Sequence, residues 1–254
     1  MRNSITKVIL IGLVLLLSII DLGASPLLEK ANQEREKLNH TKANELYMMS
    51  CMIQEKEGCF NIGSSYFKGL GVKASRVKAL EYFKLSCEYK YNGGCLIAGS
   101  IYDDGIEVKQ DFVQALNYYK LSCAYGYDVG CVNVGNLYHG GRGTKIDYKK
   151  AYELYAKACT NESTNGCASL GNMYEKGEYV EIDYKKAFSY YEMACNKDLP
   201  RGCARLGVMY AEEIGVEQDY SKAYQYLDKA CGLGLKRACR DSKVVLARDV
   251  TEVN

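Results

Sequence analysis

Charge of one sign is what this sequence most plainly lacks. Its 33 Lys and Arg nearly cancel 31 Asp and Glu, which leaves +2 over 254 residues. No basic run stands out, so neither a nucleic-acid surface nor an anionic-membrane surface has its electrostatic footprint. Histidine is almost missing, with only His40 and His139. Zinc sites draw on histidine or on cysteine pairs spaced about two to four apart, and two distant histidines supply no such cluster. Tryptophan is absent and proline occurs twice. Beyond the N-terminal segment there is no apolar run near the length of about 20 residues that spans a bilayer. The balance is ordinary for a folded chain, 48% hydrophobic and 25% charged, which excludes disorder and low complexity. The length suits one or two domains or one long repeat array.

Cysteine, by contrast, is abundant, with twelve residues. In a reducing compartment that number would demand metal or redox chemistry; in an oxidising one it reads as a disulfide framework. The N-terminus decides between them. Arg2 and Lys7 precede an apolar run, Val8 to Ile20, and Leu22-Gly23-Ala24 offers a small residue before Ser25. This is the layout of a secretory signal peptide over residues 1–24, too short to anchor in a membrane. The expected location is secreted or periplasmic.

The cysteines stand at 51, 59, 87, 95, 123, 131, 159, 167, 195, 203, 231 and 239. Each pair is separated by 8, and the pairs recur every 36 residues without insertion or deletion. That period lies in the range of stacked helical hairpins. Gly63, Gly99, Gly135, Gly171 and Gly207 follow the second cysteine by four, and Tyr66, Tyr102, Tyr138, Tyr174 and Tyr210 by seven. With Ile62, Ala98, Val134, Leu170 and Leu206 between them, these positions form one face of a helix A, roughly Cys59 to Lys68 in the first full unit. A mid-helix glycine costs about 1 kcal/mol relative to alanine. Its fivefold recurrence predicts a neighbour too close for a Cβ.

Gly69, Gly105, Gly141 and Gly177 suit the left-handed residue that ends such a helix, and Glu213 breaks the series. Ser75, Asp111, Asp147, Asp183 and Asp219 are N-cap residues for a following helix B. Ala79, Tyr82, Phe83, Ser86 and Cys87 mark its buried face. The predicted fold is all-α, a right-handed α-superhelix (solenoid) of about six 36-residue disulfide-bridged helical hairpins. Its expected parts are an N-terminal cap at 25–41, a repeat array at 42–240, and a C-terminal cap and tail at 241–254. Lys42 to Cys51 matches Lys78 to Cys87, so the array opens on a helix B.

Two regular pairings of the cysteines are open to a solenoid. Bridging across each A–B hairpin would strand Cys51 and Cys239 at opposite ends. Bridging each B–A loop uses all twelve and predicts Cys51–Cys59, Cys87–Cys95, Cys123–Cys131, Cys159–Cys167, Cys195–Cys203 and Cys231–Cys239. No cofactor and no metal is expected.

These residues resemble the Sel-one-like class of tetratricopeptide-related repeats, in Gly63 and Tyr66, in the turn Gly69-Leu70-Gly71-Val72, and in Lys78-Ala79 with Tyr82. A cysteine pair in every unit makes the chain similar to the Helicobacter cysteine-rich protein family. The departures are Glu107 and Tyr179 at the second turn glycine and Glu213 at the first. The resemblance implies penicillin binding and weak β-lactamase activity, with hydrolysis of penicillin and cephalosporin derivatives.

A serine β-lactamase needs an activated serine, commonly Ser-x-x-Lys, with Ser-Asp-Asn and Lys-Thr-Gly elements. Ser65-Tyr66-Phe67-Lys68 and Ser75-Arg76-Val77-Lys78 fit the first string; the other two are absent. Ser75 is already an N-cap and Ser65 lies within helix A, so the catalytic residues stay unknown. His139 reads as a solvated turn histidine. Asn39 and Asn161 match the glycosylation string, which carries little weight in a bacterial protein. The alternative function is a non-catalytic protein- or peptide-binding scaffold acting in the envelope or on host cells. Tyr89, Tyr91, Tyr125, Tyr127, Tyr148, Tyr184 and Tyr220 vary between units and either face a ligand or simply pack. The expected partners are a β-lactam or peptidoglycan-related small molecule, or a protein or peptide on a concave face, with the chain a monomer.

Overall fold

The computed structural model describes residues 25–252. The segment assigned above to a signal peptide, 1–24, lies outside the described residues. Among these, the chain is entirely helical, with no strand. Its contacts divide it into two compact units, with the division between Lys109 and Gln110.

The first unit holds α1 (Pro26–Glu36), α2 (His40–Met52), α3 (Lys56–Lys68), α4 (Arg76–Glu88) and α5 (Asn92–Asp104). The second holds α6 (Phe112–Ala124), α7 (Asp128–Gly140), α8 (Tyr148–Thr160), α9 (Thr164–Lys176), α10 (Tyr184–Asn196), α11 (Pro200–Ala211), α12 (Tyr220–Gly232) and α13 (Lys236–Glu252). Within each unit every helix packs on its successor, and in the second α9 also reaches α7. Odd-numbered helices from α3 onward are type A and even-numbered helices type B.

Type A helices begin one turn earlier than the cysteines alone suggest. The first starts at Lys56, not near Cys59. Only Ile53, Gln54 and Glu55 separate it from α2, and Gln54 reverses the chain at φ 66°. Glycine before the second cysteine permits this closeness. A Cβ on Gly58 would lie 2.6 Å from the Cβ of Ser50 and 2.9 Å from the backbone nitrogen of Cys51. Gly94, Gly130, Gly166 and Gly202 occupy the same place, and Ala238 takes it in the last hairpin. Each of the six B–A hairpins is closed by a disulfide, with Cα atoms 4.5–4.7 Å apart. Each bridge closes a short loop, worth about 2–3 kcal/mol where loop entropy governs.

The mid-helix glycine of type A makes room for a side chain. Gly63, Gly135, Gly171 and Gly207 lie against Phe83, Tyr155, Tyr191 and Leu227 of the following B helix. The close neighbour is thus mainly a ring or a leucine, with backbone (the Ala223 carbonyl) joining in at Gly207. Tyr155 and Tyr191 anchor the core of the second unit with Leu170, Met173, Leu206 and Met209, all at most 3% exposed.

The irregular turns keep their geometry. Glu107, Tyr179 and Glu213 adopt φ of 61°, 67° and 57°, as the glycines they replace would. Left-handed backbone costs a non-glycine residue about 1–2 kcal/mol. Glu107 gains an offset, since its Oε2 accepts the Arg76 N–H at 3.0 Å. Tyr179 packs its ring 5.4 Å from that of Tyr152. Each B helix after α2 carries a working N-cap. Ser75, Asp147, Asp183 and Asp219 accept from the N–H three residues on, and Asp111 accepts from Val113 and Gln114. Such a cap is worth about 1 kcal/mol.

Candidate ligand groove on the A helices of the second unit

Because the repeat is 36 residues without slippage, equivalent positions of successive A helices form rows. On α9, α11 and α13 three rows open into a groove of about 500 Å³, within the usual size of ligand sites. One row is Ser169, Arg205 and Asp241; a second is Asn172 and Val208; a third is Arg201 and Arg237. Ala168, Ala204, Leu235 and Ala238 give apolar walls, and Tyr191 of α10 reaches in.

The polar groups are tightly organised. The Tyr191 hydroxyl donates to Glu175 Oε2 at 2.7 Å, and Arg205 clasps Oε1 of the same carboxylate. Burial, followed by that bond to Glu175, pushes the Tyr191 phenol well above its ordinary pKa. Arg237 pairs with Asp241 at 3.6 Å. Arg201 donates to the Asn165 carbonyl at 3.1 Å. Solvent still reaches this side chain, yet the surrounding protein strips enough water from it to lower its pKa. One buried acceptor, Asn172 Oδ1, has no hydrogen-bond partner. In the preceding repeat the equivalent Asn136 Oδ1 receives the Tyr155 hydroxyl at 2.8 Å. The arrangement can hold and orient a ligand.

The structure brings each proposed cysteine pair together, and all twelve sulfurs are bonded. It does not bring the serine candidates to any site. Ser65 donates its hydroxyl to the Asn61 carbonyl at 3.1 Å inside α3. Ser75 accepts the Lys78 N–H, while the Lys78 ammonium lies 5.2 Å from the Tyr66 ring. His139 is not simply solvated, because its Nε2 meets Glu178 Oε2 at 2.7 Å and its ring packs on Tyr148. Asn39 and Asn161 donate their amides to Glu34 and Asp128. Of the variable tyrosines only Tyr127 and Tyr184 are exposed, at 39% and 40%. The others are half-buried, as Tyr91 is against Phe60. Among the described residues no three His, Cys, Asp or Glu side chains gather as metal ligands.

The groove residues are not legible from the repeat, because they are not among the positions that recur. Their signal was the reverse. Arg201 stands where earlier units carry Glu57, Gly93, Val129 and Asn165, and Arg205 where they carry Asn61, Ile97, Asn133 and Ser169.

Fold and groove together define a disulfide-stapled scaffold of stacked helical hairpins. The chain belongs to the Sel1 repeat family, whose model matches residues 56–88, 94–127, 129–163, 164–199 and 200–235. No curated protein sequence matches it. Its fold is similar to that of a Sel1 repeat protein from Oxalobacter formigenes, at 24% identity and a TM-score of 0.76, covering 84% of this chain and 87% of that one. It is similar, too, to a protective antigen of uropathogenic Escherichia coli displaying an SLR fold, at 23% identity and a TM-score of 0.67. That match covers 78% of this chain and 42% of the antigen. Cysteine rich protein B of Helicobacter pylori is 28% identical, with 52% of this chain and 95% of that one covered and a TM-score of 0.43.

Proposed function

We propose that this protein is a secreted or periplasmic binding scaffold, acting as a monomer, whose groove on α9, α11 and α13 takes a protein or peptide segment. In this reading residues 1–24 are removed as a signal peptide, 25–41 and 241–254 cap the ends, and 42–240 form the array. Six disulfides favour an oxidising compartment. No helix among the described residues is long and apolar enough to cross a membrane.

The observation that carries the reading is the composition of the groove: fixed charges and an unpartnered buried acceptor on a disulfide-stapled frame, with apolar walls. Binding sites combine such walls with a few placed polar groups. The hydrolase reading draws no support from Ser65 or Ser75, whose hydroxyls are engaged with backbone. The test is panning of a displayed peptide library on the oxidised protein, repeated with Ser169→Tyr, which fills the groove. Selected peptides should bind saturably and lose that binding in the variant. Absence of saturable binding, or binding indifferent to Ser169→Tyr, overturns the proposal.

A further inference from the structure

The C-terminal end of α2, in the first unit, carries three methionines on its water-facing side: Met48, Met49 and Met52. They are 36%, 52% and 78% exposed, although methionine is ordinarily a buried residue. Met52 neighbours both of the others on the helix surface, four residues after Met48 and three after Met49. The cluster is particular to α2. At the equivalent positions of all the other B helices there is one methionine, Met193. α8 and α12 place Lys157 and Lys229 where α2 has Met49, cations that complement the negative end of a helix dipole. The last turn of α2 has no basic residue. Lys56, which opens α3, pairs with Glu57 at 3.9 Å. The cation-favouring end of this helix thus bears no cation of its own and three thioether sulfurs instead.

We propose that Met48, Met49 and Met52 bind one copper(I) ion, with their three sulfurs as ligands. Thioether sulfur is a soft donor and selects copper(I) over hard cations. No thiol competes for that role, since every cysteine is in a disulfide. Zinc is held by thiolate, imidazole or carboxylate sets, and no such cluster occurs among the described residues. The expectation of no metal rested on cysteine and histidine; methionine is a third ligand type. Its side chain is unbranched with three rotatable bonds, so three sulfurs on one helix face can converge on a single ion. Exposure leaves the site open to an entering metal. Glu45, exposed one turn earlier on the same face, adds a negative charge beside it. A purely apolar contact patch would be served as well by leucine, which has no lone pair to give. The site belongs to the first unit and is independent of the groove of the second.

The experiment uses the full oxidised chain under anaerobic conditions, with copper(I) supplied as its acetonitrile complex and no thiol present, so the disulfides stay intact. Titration against the coloured copper(I)–bicinchoninate complex reads metal transfer as a loss of absorbance. The protein should take up one ion per chain. Each of Met48→Leu, Met49→Leu and Met52→Leu should weaken uptake by at least about tenfold, the lower range for losing even an outer-shell partner of a metal. The triple leucine variant should abolish it, and Met193→Leu should leave it unchanged. Circular dichroism checks the fold of each variant. A second reading needs no variant to fold: silver(I), added to protein carrying 13C-methyl methionine, should shift the methyl signals of Met48, Met49 and Met52. Those of the buried Met173 and Met209 should stay in place.

Failure to draw copper(I) from the chelator overturns the inference, as does uptake that survives the triple leucine variant. Displacement of the bound ion by an equal concentration of zinc overturns the choice of a soft metal. A silver(I) shift at the solitary Met193 as large as that at the cluster reduces the binding to general thioether affinity and overturns the site. None of these outcomes bears on the peptide reading of the groove, which stands or falls with the library and Ser169→Tyr.

Discussion

The ring of Tyr191 occupies the space in which a Cβ on Gly171 would stand, with its Cε1 2.8 Å from that position. The hydroxyl of the same ring donates to Glu175 at the edge of the groove. One glycine thus governs both a core contact and the placing of a groove carboxylate.

Gly171→Ala should therefore destabilise the protein by about 1–3 kcal/mol, the range for overpacking a close-packed core. The opposite sign is expected at Gly232, a helical glycine whose Cβ would meet nothing within 4 Å. Gly232→Ala should stabilise by about 0.5–1 kcal/mol through helix propensity. Denaturant unfolding of both variants checks the contrast.

The loop closed by each disulfide places its third residue in left-handed backbone. Lys90 does this at φ 62°, where equivalent hairpins use Gly126 at 82° and Gly234 at 95°. Lys90→Gly should raise stability by about 0.5–1 kcal/mol, by relieving the side-chain clash at positive φ. A melting temperature that falls would contradict this account.

Removing one bridge, by Cys87→Ser with Cys95→Ser, should lower stability by about 2–3 kcal/mol on the loop-entropy estimate. Both cysteines are at most 2% exposed, so the buried serines add a further loss. Paired single and double variants measured with and without reductant separate the two contributions.

The N-cap aspartates predict the acid response. Asp147, Asp183 and Asp219 lie below the ordinary value of 3.8, chiefly because each accepts a backbone N–H from Lys150, Lys186 or Lys222. A carboxylate with a depressed folded pKa contributes fully above its unfolded pKa and is lost as pH falls through the folded one. Melting temperature should thus hold from neutral pH to near 4 and drop below it. The triple Asp→Asn variant should show a shallower drop over that window. An unchanged profile would show that the caps do not drive it.

The helices, their N-caps and the repeat were legible in the sequence because each rests on neighbours within one turn or on strict recurrence. Asp147 caps α8 using the backbone of Lys150, three residues away. The early start of α3 was not legible, because it depends on how closely Gly58 lets two helices approach. Nor was the groove. Arg201, Asn172 and Glu175 are unremarkable in one dimension, and none belongs to a motif. Ser65 and Ser75 show the converse, since a string that looked chemical is engaged with backbone in space.

What the sequence alone determined was the phase. A 36-residue recurrence of cysteine, glycine and tyrosine obliges each unit to fold alike and to bury its apolar faces on neighbours, because local propensity and hydrophobic period suffice for that. Only the tertiary structure decided which charges are compensated. Whether Arg201 or Arg205 finds a carboxylate depends on distances between side chains on separate helices. Electrostatic pairing falls off with separation in space, and separation along the chain does not report it.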